Sequence, residues 1–111
     1  MDGLEYLAAI NAGATQVIVV EVPVHRSFLP FYVEADPDKY HSLFIAPVAE
    51  FLAWRQVPFW QTQEEMQSLI PDRGWNDVKH LNTIGAEIYS RWLALRLSSA
   101  VISAEIPDPF L

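Results

Sequence analysis

A β-branched run at residues 16–22, QVIVVEV, follows a segment of helical character, ends at Pro23 and is followed by a loop-like segment at residues 24–37. The run shows little polar alternation, which is typical of a strand buried on both faces of a parallel sheet. Before it, apolar residues recur at helical spacing and a glycine follows, so a helix is predicted at residues 3–12. A helix that leads into a buried strand is half of an α/β repeat.

The next segments have the pattern of a second repeat. Asp36-Pro37 has the form of a helix cap followed by proline at the first helical position, and it predicts a helix that ends at about Arg55. Pro47 lacks an amide hydrogen, so we expect a bend near Ala46. Residues 57–61, VPFWQ, are short, apolar and rich in β-formers, and they predict a second parallel strand.

A long polar connection follows at residues 62–80, with a turn of helix expected from Glu64 to Leu69. Asn82 is a suitable cap for a last helix. The apolar arc of that helix is expected to pack on the sheet through Ile84, Ile88, Trp92 and Leu95. The predicted architecture is a flavodoxin-like three-layer α/β half-domain with a short parallel sheet over residues 1–99, and residues 100–111 form a tail or a short extra strand.

Composition excludes several classes of function. The chain has 111 residues, of which 51% are hydrophobic, so one small domain with its own core is expected. Seven Lys and Arg against 14 Asp and Glu give a net charge of -7, which disfavours nucleic acid and anionic membranes as partners. Without cysteine there is no disulfide, thiolate nucleophile or zinc-thiolate site. No apolar run reaches the roughly 18 residues of a membrane span, so the chain is predicted to be soluble.

The segment at residues 77–85, DVKHLNTIG, places Asp77 three residues before His80 and directly ahead of the last helix. A serine hydroxyl becomes a useful nucleophile when a histidine accepts its proton, and a carboxylate fixes the tautomer of that histidine. The spacing therefore favours His80 as a general base and Asp77 as its orienting carboxylate. The alternative is that Asp77 caps a turn and His80 is an ordinary surface histidine.

Two further residues are candidates for substrate binding. His25 follows the C-terminal end of the first predicted strand, where open α/β sheets bind ligands, and Trp75 lies two residues before Asp77. Arg26 could hold an anionic group. No spacing of histidines and carboxylates matches a recognised metal site, and neither a metal nor another cofactor is expected.

The order of these elements resembles the C-terminal half of an SGNH (GDSL-type) hydrolase, over roughly residues 4–98. The specific match is residues 77–86, because the last block of that family is a D-x-x-H followed by a short N-x-x-G that opens into the final helix. Residues 20–24, VEVPV, are similar to the family's strand that ends in a proline beside the active site. The resemblance implies that His80 is the base and Asp77 the orienter of a Ser-His-Asp triad.

The family's Gly-Asp-Ser nucleophile block does not occur in this sequence. The resemblance therefore implies a fragment, one half of a split enzyme or a remnant, inactive alone, of an esterase or acyltransferase acting on O-acyl esters of lipids or carbohydrates. Partners would be such a substrate and either the missing N-terminal half or a second copy. The compartment stays open, and it would be extracytoplasmic if the parent carries a signal or anchor. The alternative is a non-catalytic module that binds a partner through its open sheet edge.

Overall fold

A two-stranded parallel sheet with helices packed on both faces forms the centre of the molecule. The computed structural model describes residues 3–13, 15–28 and 37–108. The helices are α1 (Gly3–Asn11), α2 (Pro37–Tyr40), α3 (Ala46–Trp54), α4 (Gln63–Leu69) and α5 (Thr83–Ile102), and the strands are β1 (Val19–Val20) and β2 (Phe59–Trp60). Val19 pairs with Phe59 and Val20 with Trp60. The predicted mixed α/β class and parallel pairing are therefore observed.

Side chains alternate between the two faces of the sheet, as strand geometry requires. Val19 and Phe59 pack towards the cluster of Ala8, Leu52 and Val57 on the side of α1 and α3. Val20 packs on the opposite side, where Trp60, Ala100 and Ile106 are buried with α5. The small core is thus divided between the two faces of a very short sheet.

The strand predicted at residues 16–22 is longer and more buried than the strand β1 that the structure contains. Only Val19 and Val20 are in β1, and both are half-buried, while Val22 is 73% exposed. A strand is buried on both faces only where neighbouring strands and helices extend beside it. Here β1 has a single two-residue neighbour among the described residues, so the expectation of a fully buried strand is wrong.

The helical segment between the strands changes its winding where Pro47 predicted a bend. A π-helical turn, His41–Ile45, separates α2 from α3, and the N–H of Ala46 donates to the carbonyl of His41. The proline contributes no N–H at the following position, which removes one bond of the regular ladder and accompanies the wider turn. The predicted cap at Asp36 lies outside the described residues.

Helix α5 is longer than predicted, and only part of its predicted apolar arc faces the core. It continues to Ile102, so residues 100–106 form the last helical turn and its cap, with the N–H of Glu105 donating to Ala100 O over 2.8 Å, and no extra strand forms there. Leu95, expected on the packed arc, is 73% exposed. Ile88 and Trp92 of the predicted arc are half-buried, and Gly85, Tyr89, Arg96 and Ala100 are also packed.

Candidate functional site

The loop that carries Asp77 and His80 is closed at its base by backbone pairing. Trp75 and Leu81 form an isolated antiparallel bridge, and the N–H of Asn82 donates to Gly74 O over 3.0 Å. Asn82 then caps α5, since its Oδ1 accepts the N–H groups of Ile84 and Gly85 at 3.0 and 3.1 Å. The sequence predicted this cap from the residue type, and the cap fixes where the loop ends.

Two glycines allow the loop to meet the first turn of α5. A Cβ placed on Gly85 would lie 2.1 Å from Gly74 O and 2.9 Å from a methyl carbon of Leu81. Since carbon and oxygen cannot approach so closely without displacement, the observed contact between the two backbones requires glycine at position 85. This contact holds the start and the end of the Asp77–His80 loop together.

Asp77 and His80 form the pair that their spacing predicted. His80 Nδ1 lies 2.8 Å from Asp77 Oδ1 and 2.9 Å from Oδ2. Asp77 Oδ1 also accepts the backbone N–H groups of Lys79 and His80, at 2.8 and 2.9 Å. The Lys79 amide and then the His80 ring hold the pKa of Asp77 below its ordinary value. An ionised Asp77 keeps the proton on Nδ1, which leaves His80 Nε2 able to accept a proton.

Both side chains of this pair are open to solvent, with exposed fractions of 69% for His80 and 54% for Asp77. The arrangement therefore has the tautomer of a general base and an approach path for a second group. It lacks the water exclusion that strengthens the electrostatic interactions of such a pair in a working active site.

His25 and Trp75, the two predicted binding residues, lie together beside this loop. The N–H of His25 donates to Val78 O over 2.8 Å, and the ring of Trp75 meets the His25 ring edge-on at 5.6 Å between centroids. The Lys79 ammonium is 4.8 Å from the centroid of the Phe28 ring. The segment after β1 and the Asp77–His80 loop are therefore in direct contact.

The segment after β1 is fixed by a glutamine of α4. The side-chain amide of Gln63 accepts the N–H of Val24 and donates to its carbonyl, each over 2.7 Å. One side chain thus replaces the pairing that a neighbouring strand would give. This bracket sets the position of His25, which is the next residue along the chain.

Glu21, at the end of β1, is a buried carboxylate that the sequence did not mark as important. Its Oε1 accepts the N–H groups of Thr62 and Gln63 at 2.9 and 2.7 Å, and its Oε2 accepts the hydroxyl of Tyr40 at 2.8 Å. Negative charge at a helix N-terminus is favourable, and here it satisfies the first amides of α4. Glu21 therefore acts as a helix cap that joins the end of β1 to the start of α4.

His25 also belongs to a hydrogen-bonded group that was not predicted from the sequence. Its Nδ1 is 2.7 Å from Ser27 Oγ and its Nε2 is 2.9 Å from Asp72 Oδ1. The close histidine and serine, separated by one residue, were a visible signal. Asp72 is separated from His25 by 47 residues, and no local pattern could have joined them.

Arg26, predicted as a possible anion holder, lies 3.9 Å from Asp72 Oδ1. The His25 ring and then Arg26 lower the pKa of Asp72. A surface depression of about 500 Å³ adjoins this pair, and its lining includes Arg26, Gln67, Pro71, Asp72 and Arg73. Arg26 is thus partly neutralised by Asp72 before any ligand binds.

Within residues 3–13, 15–28 and 37–108, no group of three or more His, Asp or Glu side chains could hold a metal ion. In the same ranges no helix combines the length and the apolarity needed to cross a membrane.

Comparisons with protein-family models, with curated proteins and with solved structures find no match to this chain. The roles predicted for Asp77 and His80 therefore depend on their geometry and on the sequence resemblance.

Proposed function

We propose that this chain is the C-terminal part of an SGNH-type serine esterase or acyltransferase that acts on O-acyl esters of lipids or carbohydrates. In this proposal His80 Nε2 accepts the proton of a serine supplied by another segment, and Asp77 orients the ring and stabilises its charge. The hydrogen-bonded Asp77–His80 pair, exposed at the end of the loop ahead of α5, carries the proposal. The chain alone is then inactive in efficient ester turnover.

The open edge of β1 supports a missing segment. The N–H groups of Val19 and Glu21 donate to the carbonyls of Pro58 and Trp60, each over 2.9 Å, so the polar groups of Val20 point to the opposite edge. None of the described residues forms a strand there. We propose that a further parallel strand occupies this edge and extends the sheet into a flavodoxin-like, three-layer domain.

An apolar cleft beside the same edge is further support for the proposal that another segment covers this part of the molecule. It lies between the residues before β1 and the end of α5, has a volume of about 480 Å³, and is lined by Ile18, Leu97, Val101, Ile102 and Ile106. Ile102 is 86% exposed. Apolar surface of this kind beside an unpaired strand marks an interface.

The test is ester hydrolysis by the parent chain, or by this chain joined to its serine-bearing segment, with p-nitrophenyl acetate as the probe. His80→Ala should lower kcat by about 10⁴-fold or more, and Asp77→Asn by about 10³–10⁴-fold. His41→Ala changes an exposed histidine of the π-helical turn and is the matched control. Retained hydrolysis in His80→Ala, or no hydrolysis by the intact protein, refutes the catalytic role.

The second candidate is a non-catalytic module that binds a partner through the edge of β1, and the same open edge and apolar cleft favour it. The two proposals differ in one result. If the Val20 amide is protected from hydrogen exchange, the edge of β1 is occupied. Protection of Val20 without ester hydrolysis favours the binding module over the enzyme.

A further inference from the structure

Ser27, His25 and Asp72 form a continuous hydrogen-bonded line separate from the Asp77–His80 pair. Ser27 Oγ is 2.7 Å from His25 Nδ1, and His25 Nε2 is 2.9 Å from Asp72 Oδ1. The three residue types and their connections are those of a serine nucleophile, its base and an orienting carboxylate, with the two ring nitrogens exchanged relative to the usual order.

The neighbours of His25 define its tautomer. The backbone N–H of Ser27 donates to Nδ1 over 3.2 Å, so Nδ1 carries a lone pair and faces the serine hydroxyl. The proton is then on Nε2 and is donated to Asp72. An ionised carboxylate at that position favours this tautomer and stabilises the imidazolium that forms when Nδ1 accepts a proton.

The ring of His25 is held while the serine is open to solvent. The histidine side chain is only 18% exposed, the backbone N–H is bonded to Val78, and Trp75 packs against the ring edge. Ser27 is exposed in the 3₁₀ turn Arg26–Phe28. A fixed base beside an accessible hydroxyl is the geometry that makes a serine reactive.

We propose that Ser27 is a nucleophile in its own right, acylated by carboxylic esters with His25 as general base and Asp72 as the positioning carboxylate. Ser27 Oγ attacks the ester carbonyl while its proton passes to His25 Nδ1. The bond from the carbonyl carbon to the alcohol oxygen breaks, and the alcohol leaves with the proton from His25. The products are a seryl ester and a free alcohol.

The same geometry makes turnover slow. In a serine hydrolase the N–H of the nucleophile commonly helps to bind the oxyanion, but here the N–H of Ser27 is directed at His25 Nδ1. That donor is missing from both acylation and deacylation, so both steps are slow. With p-nitrophenyl acetate, whose leaving group departs readily, acylation is the faster step, and the seryl ester accumulates. The activity to be measured is the acylation of one serine.

The test uses this chain alone, so its outcome does not depend on whether another segment supplies a serine to His80. The chain is treated with p-nitrophenyl acetate, and peptide mass spectrometry follows acetylation of each serine over time. Ser27 should be acetylated at least about tenfold faster than Ser90, which is exposed on α5 and serves as the internal reference.

Variants show whether the rate of Ser27 acetylation depends on His25 and Asp72 or only on the exposure of Ser27. His25→Ala should slow acetylation of Ser27 by about 10²-fold or more, and Asp72→Asn, which changes a side chain that is 75% exposed, should slow it by about tenfold without unfolding the protein. His41→Ala should leave the rate unchanged. Equal labelling of Ser27 and Ser90, or a rate that depends on His80 and not on His25, overturns the proposal.

Discussion

Replacing Gly85 by alanine tests whether two glycine backbones hold the Asp77–His80 loop. No described glycine has a positive φ, so alanine meets no torsional barrier at position 85, and only the space around its Cβ decides the outcome. That Cβ would lie 2.1 Å from Gly74 O, whereas contact requires roughly 3.3 Å. The Gly74 carbonyl must therefore withdraw by about 1 Å.

The expected loss of stability follows from the displacement of the Gly74 carbonyl. Overpacking of this size costs about 1–3 kcal/mol. Gly74 O also accepts the N–H of Asn82, and weakening that bond costs about 1 kcal/mol. The helix propensity of alanine returns at most about 1 kcal/mol. We therefore expect Gly85→Ala to lower the free energy of unfolding by about 2 kcal/mol, a fall in Tm of about 8 °C for a chain of this size.

Urea denaturation measures the change, and hydrogen exchange at the Asn82 amide locates it. Gly3→Ala is the matched control, because no heavy atom lies within 4 Å of its added Cβ. That variant should be as stable as the unmutated chain or slightly more stable. If the free energy of unfolding of Gly85→Ala lies within about 0.5 kcal/mol of that of the unmutated chain and Asn82 keeps its protection, the contact with Gly74 O does not require glycine at position 85.

Two other perturbations test the charged groups of the site. Glu21→Ala removes the acceptor of the first amides of α4 and should lower the free energy of unfolding by about 2–4 kcal/mol, whereas exposed Glu64→Ala should change it by less than about 0.5 kcal/mol; equal effects in urea denaturation would contradict the capping role. In carboxyl-detected NMR the pKa of Asp77 should lie below its ordinary, unfolded-state value. The stability that ionised Asp77 contributes should be complete above the unfolded-state pKa and should be lost as pH falls through the lowered folded-state pKa. In His80→Ala the pKa of Asp77 should rise only partly, because the Lys79 amide bond remains; a native pKa at the unfolded value would refute the pairing.

Local signals account for the features that the sequence predicted correctly. Helical periodicity predicted α1, residue type predicted the Asn82 cap, and a spacing of three residues brought Asp77 to His80. Each depends on groups within a few residues of one another, whose geometry the backbone limits strongly. For the same reason the missing amide of Pro47 predicted a disturbance in the helix that contains it.

Features that need a distant partner were missed or overstated. The apolar run at residues 16–22 predicted a long buried strand, but strand length depends on the neighbour, and β2 pairs with only two residues. Helix α5 was assigned an apolar arc that included Leu95, but Tyr89 instead packs inward and donates its hydroxyl to Glu21 O over 3.0 Å.

The sequence by itself determined the order of helices and strands, the parallel class and the Asp77–His80 pair, because local spacing and residue type dictate them. Only the tertiary structure decided the burial of Glu21 at the start of α4 and the meeting of His25 with Asp72. Those contacts join segments about 40 residues or more apart. They exist because the parallel strands and the hydrogen bonds from Gln63 to Val24 bring the segments that follow β1 and β2 to the same end of the sheet.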